Sequence, residues 1–229
     1  MRLQNSQIHL SATDLSNHLG CRHLTHLDLR AAAGQIAPPA HRDPRLEALQ
    51  QRGLQHESAY LAHLQAQGRT ITHLTEANDT PPGTAANPTT ATHQTLAAMQ
   101  SGADAIAQAT LTSNHWLGRA DVLLRVDAPS NLGNWSYEVV DTKLARETRA
   151  GTILQLSLYT DIVGELQGKL PEQMHVVAPG RDFEPESHRV LDYAAYYRHV
   201  RRRLEDAVVE VGGEDNEPCQ REPFGQCDI

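Results

Sequence analysis

The spacing of apolar residues changes along the chain from a helical period to the pattern of short strands. Apolar positions three to four residues apart are typical of helices with one buried face, and helices are predicted over residues 12–29, 44–67, 93–101, 152–167 and 193–210. Shorter runs dominated by β-forming residues predict strands over 104–112, 116–126, 135–142, 173–178 and 188–192. This order predicts an α/β fold whose front half is built from hairpins.

Polar stretches rich in proline and glycine separate these elements. The segment 37–40 breaks the chain after the first helix, and residues 78–92 form a turn-rich loop without large apolar side chains. The length of 229 residues suits one large domain with short extensions. We therefore expect an N-terminal helical segment over 1–40, a core over 41–211 and a flexible C-terminal tail over 212–229.

Composition excludes several classes of protein. Twenty basic residues against twenty-eight acidic ones leave a formal net charge of −8, which excludes a generally basic nucleic-acid coat protein. No apolar run is long enough to span a membrane, and the first residues lack the apolar region of a secretory signal. Three widely separated cysteines do not form a disulfide framework. We expect a soluble, cytoplasmic protein with no membrane partner.

Two carboxylates and a lysine lie at neighbouring positions of the predicted sheet. Asp121 lies in the second strand, and Asp141 and Lys143 end the third. Because side chains two residues apart on a strand point to one face, Asp141 and Lys143 project together, while Glu138 points to the other face. A pair of close carboxylates repels unless a hard cation such as Mg²⁺ lies between them. Lys143 is one of only two lysines beside eighteen arginines, the other being Lys169.

These residues resemble the core of the PD-(D/E)XK nucleases, with Asp121 followed by Asp141-Thr142-Lys143. Gln155 and Tyr159, one turn apart on the next helix, resemble the QxxxY signature of the RecB-like exonuclease branch. The upstream segment 52–57, Arg-Gly-Leu-Gln-His-Glu, resembles the helix on which that branch carries a metal-binding histidine. The resemblance spans residues 45–180, with four motifs in order. It implies a central mixed sheet of αβββαβ order flanked by helices.

The resemblance also implies roles for these residues. A divalent ion, Mg²⁺ or Mn²⁺, would be bound by His56, Asp121, Asp141 and the backbone carbonyl of Thr142. Lys143 would orient the attacking water, and Gln155 and Tyr159 would shape the site and contact DNA. Glu57 is the alternative to His56, because the family's histidine commonly lies four residues after the glycine, where this chain has Glu57. Adjacent helix residues diverge by about 100°, so only one of the two can face the ion.

The three cysteines resemble part of an iron–sulfur site. Cys21 resembles the N-terminal cysteine of RecB-like nucleases that carry a [4Fe–4S] cluster, and Cys219 and Cys227 lie where the trailing cysteines of that group begin. Such a cluster needs four thiolates, so the alternative of three unconnected thiols stays open. The final Cys-Asp-Ile resembles the start of a C-x₂-C motif. We therefore expect the chain to be truncated, and the longer protein to complete the cluster.

The basic segment 198–203 on the last helix has two interpretations. Arg198, Arg201 and Arg202 could follow a nucleic-acid backbone, in which case salt would weaken binding. Alternatively they form a solvated helix face paired with the nearby acidic residues Glu205 and Asp206.

Two functions follow from the sequence. The first is a metal-dependent DNA nuclease acting on single-stranded DNA ends in repair or recombination, with a helicase-type ATPase as partner in the same polypeptide or in trans. The second is a catalytically weak DNA-binding module that serves a helicase or repair complex. The complete set of two carboxylates and a lysine favours the nuclease.

Overall fold

The computed structural model describes residues 1–4, 7–37, 44–74 and 88–213. Within them the helices are α1 (Ala12–Gly20), α2 (Arg22–Ala32), α3 (Pro44–Ala66), α4 (Pro88–Gln100), α5 (Ala150–Gln167) and α6 (Val190–Gly213). The strands are β1 (Arg2–Gln4), β2 (Gln7–His9), β3 (Ile71–His73), β4 (Ala105–Ser113), β5 (Trp116–Val126), β6 (Ser136–Thr142), β7 (Gln173–Val177) and β8 (Glu186–Arg189). The chain has an α/β fold.

Among the described residues, the main sheet is mixed and contains six strands in the order β3-β4-β5-β6-β7-β8, with helices flanking it. β4, β5 and β6 form an antiparallel meander, whereas β6 and β7 are parallel. A parallel pair needs a crossover connection, and α5 supplies it. This arrangement places the end of β6 close to the start of α5. The candidate site depends on this proximity.

Alternating side chains of the central strands fill two separate cores. Leu123 and Val139 point toward the larger core, which contains the apolar residues of α5. Val122 and Val140, their neighbours in the chain, point to a smaller core under α3 that includes Tyr60. The period of two explains this division, since successive strand residues face opposite sides of the sheet. Both faces are therefore buried along most of β6 and, in β5, at Val122 and Leu123.

The N-terminal part differs from the sequence prediction. The helix predicted over 12–29 is two helices, because Cys21 has an extended backbone (φ −158°, ψ 112°) between α1 and α2. The Cys21 amide still donates to the Asn17 carbonyl at 2.8 Å, so α1 closes its last turn before the chain changes direction. The antiparallel pair of β1 and β2 and the three-residue β3 were not predicted, because such short runs show no clear period.

The boundary of α4 also differs from its prediction. The helix begins at Pro88, whereas residues 88–92 were predicted to belong to a loop. Proline is favoured at the first helical position, where its fixed φ suits the helix and its missing N–H is not needed. The rest of the loop predicted over 78–92 lies outside the described residues, as do Cys219, Cys227 and most of the predicted tail. None of the described helices is long and apolar enough to cross a membrane.

We expect Gly168→Ala to destabilise the fold more than Gly34→Ala. Both glycines have positive φ angles, 67° and 72°, which disfavour a side chain. A Cβ atom at Gly34 would meet nothing within 4 Å, whereas one at Gly168 would overlap the Asn131 side chain. We expect a loss of about 1 kcal/mol for Gly34→Ala and about 2–3 kcal/mol for Gly168→Ala in urea unfolding. Equal losses would show that the contact with Asn131 relaxes freely.

Candidate active site

The antiparallel pairing of β5 and β6 places two aspartates side by side. Val122 and Val140 are the last pair of this ladder, and Asp121 and Asp141 are the residues just beyond it. The apolar residues of β6 bring Asp141 into the interior, where it is only 1% exposed. A carboxylate in this position loses most of its hydration, so it requires partners that replace water.

Lys143 and Gln155 provide those partners for Asp141. The Lys143 Nζ atom lies 3.0 Å from Asp141 Oδ1, to which it donates, and 2.8 Å from Oδ2. The Gln155 side-chain amide donates to Oδ1 at 2.9 Å, and its oxygen accepts a hydrogen bond from Lys143 Nζ at 3.3 Å. Asp141 Oδ2 is buried and accepts no hydrogen bond in proper geometry from any described residue. Lys143 therefore approaches this oxygen as a charge contact, without a hydrogen bond in proper geometry.

The environment of Asp141 opposes its negative charge. Burial raises the pKa of Asp141 to about 7, and the nearby charge of Asp121 acts in the same direction. The ammonium group of Lys143 acts against this shift without cancelling it. A divalent cation between the two carboxylates would remove the repulsion and favour the ionised form.

Asp121 lies where the hydrogen-bonded ladder between β4 and β5 is interrupted. Ala107 pairs with Val122 and Ala109 with Ala120, but the intervening residues Gln108 and Asp121 do not pair. The alternation of side chains changes there, since Ala107 and Val122 face the smaller core while Ala109 and Ala120 face the larger one. The interruption directs the Asp121 carboxylate toward the end of β6.

The Asp121 carboxylate links β5 to the last residue of β6. Its Oδ2 atom accepts hydrogen bonds from the Thr142 backbone amide at 2.7 Å and from the Thr142 hydroxyl at 2.8 Å. Thr142 lies beyond Val140, the last paired residue of β6 in its ladder with β5. The Asp121 carboxylate therefore takes the place of a main-chain acceptor for the Thr142 amide. These bonds hold Asp121 next to the segment that carries Asp141 and Lys143.

Gln108 is a residue of this region that the sequence analysis did not identify. Its φ angle of 59° lies in the left-handed region, which is uncommon for residues other than glycine. The side-chain amide donates a short hydrogen bond to Glu57 on α3. The only signal in the sequence was a single amide within the otherwise small and apolar β4 segment Ala-Ile-Ala-Gln-Ala.

His56 and Glu57 extend from α3 toward different strands. His56 Nε2 lies 3.1 Å from the carbonyl oxygen of Val177 on β7, and the same oxygen accepts the Lys143 backbone amide at 3.0 Å. Since a carbonyl oxygen can only accept, Nε2 carries the proton and Nδ1 is the acceptor nitrogen. Metal-binding histidines commonly donate their other ring N–H in this way. Glu57 instead accepts from Gln108 on β4, as the divergence of adjacent helix positions requires.

Gln155 and Tyr159 line the α5 side of the site. Gln155 contacts Asp141, while one turn later the Tyr159 ring packs against Gly118 of β5 so closely that a Cβ atom there would overlap it. Burial raises the pKa of Tyr159 to about 12, so its hydroxyl stays protonated at neutral pH. The QxxxY pair therefore connects α5 to both strands that carry the aspartates.

The donor set fits a magnesium or manganese ion bound mainly through oxygen. Among the described residues, no group of three or more histidine, cysteine, aspartate or glutamate side chains is arranged to hold a metal. Asp121 and Asp141 are nevertheless adjacent, and the buried Asp141 Oδ2 faces the Lys143 ammonium group at 2.8 Å without a hydrogen bond in proper geometry. Mg²⁺ is typically bound by one or two carboxylates together with water and substrate phosphates. Two carboxylates are therefore sufficient for such an ion.

The three arginines predicted to contact DNA have different surroundings. Arg201 is largely buried, lies 2.7 Å from Asp161 and 3.0 Å from Glu205, and stacks over the Trp116 ring. It therefore fastens α6 to α5 and β5. Arg198 and Arg202 are exposed on α6. A DNA contact stays a prediction for all three.

Cys21 lies at the junction of α1 and α2 and is half-buried. Its predicted partners, Cys219 and Cys227, lie outside the described residues. The iron–sulfur cluster thus stays a prediction.

In comparisons with known proteins, no family model and no curated protein matches this chain. The class that the molecule itself defines is an α/β protein with a mixed six-stranded sheet and a cluster of two aspartates, a lysine and a glutamine at the end of its central strands. The function is therefore argued from the chemistry of this cluster.

We expect Asp141→Asn to stabilise the metal-free protein. Because the folded-state pKa is raised to about 7, folding loses stability as the pH rises from about 4 through 7, and the neutral amide removes this loss. Thermal or urea unfolding in EDTA at pH 8 should show a gain of about 1–3 kcal/mol, which disappears near pH 4.

Asp104→Asn is the matched control with the opposite sign. Two hydrogen bonds from Thr70 lower the pKa of Asp104, so the ionised form stabilises the fold above its usual pKa. This substitution should lower the stability slightly at pH 8. If Asp141→Asn also destabilised the metal-free protein, the cost attributed to the buried carboxylate would be wrong.

Proposed function

We propose that this protein is a metal-dependent DNA nuclease of the RecB-like PD-(D/E)XK type that hydrolyses phosphodiester bonds, with single-stranded DNA ends as substrate. The observation that carries the proposal is the contact of Lys143 and Gln155 with the same buried carboxylate of Asp141, beside Asp121. The order α4-β4-β5-β6-α5-β7 supports it, because it is the αβββαβ order implied by the resemblance.

The chemistry of the cluster suits hydrolysis of a phosphodiester. Asp121 and Asp141 would hold Mg²⁺ or Mn²⁺ together with the Thr142 carbonyl and with Nδ1 of His56. When bound, the ion polarises the phosphodiester and makes a coordinated water more acidic. Glu57 is the alternative to His56, and its hydrogen bond with Gln108 would fix its orientation.

Lys143 is suited to act on the water and on the developing charge. Its ammonium group contacts the Asp141 carboxylate and the Gln155 side-chain oxygen, and a third of the Lys143 side chain is exposed. From this position it can orient the attacking water and offset negative charge in the transition state. Gln155 forms hydrogen bonds with both Lys143 and Asp141 and would hold the two side chains in this arrangement. Gln155 and Tyr159, one turn apart on α5, would shape the site and contact DNA.

Replacing Lys143 should abolish most of the activity. With a linear single-stranded oligonucleotide and Mn²⁺, we expect Lys143→Ala to cleave about 100-fold or more slowly than the wild type, because the transition-state charge loses its partner. EDTA should stop cleavage, and added Mn²⁺ should restore it. The rate is measured from product bands under single-turnover conditions.

Lys169→Ala is the matched control, since it removes the other lysine of the chain. It should cleave at the wild-type rate. Equal cleavage by the wild type and Lys143→Ala would contradict the proposal. DNA binding that persists in EDTA, without cleavage in any divalent ion, would instead favour the catalytically weak DNA-binding module.

A further inference from the structure

A groove with a volume of about 430 Å³ opens at the segment that follows Lys143 in the chain. Its walls come from the loop after β6, the start of α5, the loop between β7 and β8, β8 itself and the first residues of α6. Three guanidinium groups line it, those of Arg146, Arg149 and Arg181. All three residues are exposed, and the Arg181 side chain is 53% accessible. The groove thus presents a concentration of positive charge in a protein whose net charge is −8.

The positive end of α5 adds to this charge. The helix has eighteen residues and begins directly after Arg149, which occupies the N-cap position in an extended conformation. The Arg149 side chain makes no capping hydrogen bond to the first turn of the helix. Arginine is a poor N-cap, and a cation at the positive end of the helix dipole is unfavourable. An anion bound in the groove would offset the positive charge of the arginine and of the helix end.

The acidic groups of the groove do not neutralise it. Glu186 is engaged by its neighbours, since its Oε2 accepts the Thr148 hydroxyl at 3.1 Å and lies 3.9 Å from Arg181. Glu147 is exposed at the rim, so three arginines face two carboxylates. His188 also lines the groove, with its side chain 11% accessible. Its Nε2 atom is buried without a hydrogen-bond partner in the described part of the chain, and Glu186 Oε1 lies 3.5 Å away.

We propose that this groove binds a phosphate group of the nucleic-acid strand close to the bond that is cleaved; the assignment to a strand rests on the proposed nuclease function. Arg146 follows Lys143 by only three residues, so their Cα atoms are at most about 11 Å apart. At about 3.4 Å per phosphate, the spacing along one strand of a duplex, this span is at most about three nucleotides. Guanidinium groups bind phosphate oxygens in bidentate fashion, and helix N-termini bind phosphate through their amides.

The test measures binding of a fluorescent single-stranded oligonucleotide to the full chain in EDTA, where no cleavage occurs. The variant carries Arg146→Gln, Arg149→Gln and Arg181→Gln together. We expect it to bind about tenfold or more weakly at low salt, because charge-assisted contacts are lost. The slope of log affinity against log salt should fall by about 0.7 for each phosphate contact removed. Circular dichroism and thermal unfolding check that the variant is folded.

Two controls separate the groove from general charge effects. Arg30→Gln removes an exposed arginine on α2, and its affinity and salt slope should equal those of the wild type. Replacing the same three arginines by lysine keeps the charge, so most of the salt slope should persist. If the triple glutamine variant bound like the wild type, or if the wild type did not bind the oligonucleotide, the inference would be overturned.

The choice of oligonucleotide decides which phosphate occupies the groove. A loss confined to strands with a 5′- or 3′-terminal phosphate supports a site for a strand end, whereas an equal loss on circular strands supports a site for an internal phosphodiester. Arginine-dependent binding without cleavage in any divalent ion would overturn the nuclease proposal and leave the groove as a phosphate site. Cleavage together with binding that does not depend on the three arginines would overturn the groove site and leave the nuclease proposal standing.

Discussion

The buried carboxylate of Asp141 is the constraint on which the site depends. A charge that is 1% exposed is tolerated only where other groups replace its hydration, and Lys143 and Gln155 do so from β6 and α5. Burial raises the pKa of Asp141, and the adjacent carboxylate of Asp121 adds to this effect. The fold therefore holds two like charges together, an arrangement that is unfavourable for stability and favourable for binding a cation.

α5 joins the parts of this arrangement. It provides the crossover that makes β6 and β7 parallel, and its apolar residues fill the larger core. Gln155 and Tyr159 on this helix contact Asp141 and Gly118, so packing of the helix also orients the site. Its first turn borders the arginine-lined groove. Core packing, site geometry and the charge of the groove thus depend on the position of one helix.

The sequence was sufficient for the features that depend on local patterns. Strands β4, β5 and β6 and helix α5 lie within two residues of their predicted limits, because apolar periodicity and β-forming residues act over short distances. The strand period also predicted that Asp141 and Lys143 share a face, where they form an ion pair. For the same reason Glu138 was expected on the other face, and it contacts His175 instead.

Only the tertiary structure decided which residues from distant segments meet. The break of the ladder at Gln108, and its bond to Glu57, depend on packing of α3 against the sheet. The bond from His56 to Val177 and the ion pairs that turn Arg201 inward join residues far apart in the chain. No local pattern encodes such contacts, because their energies depend on distances that exist only after the helices and the sheet have packed together.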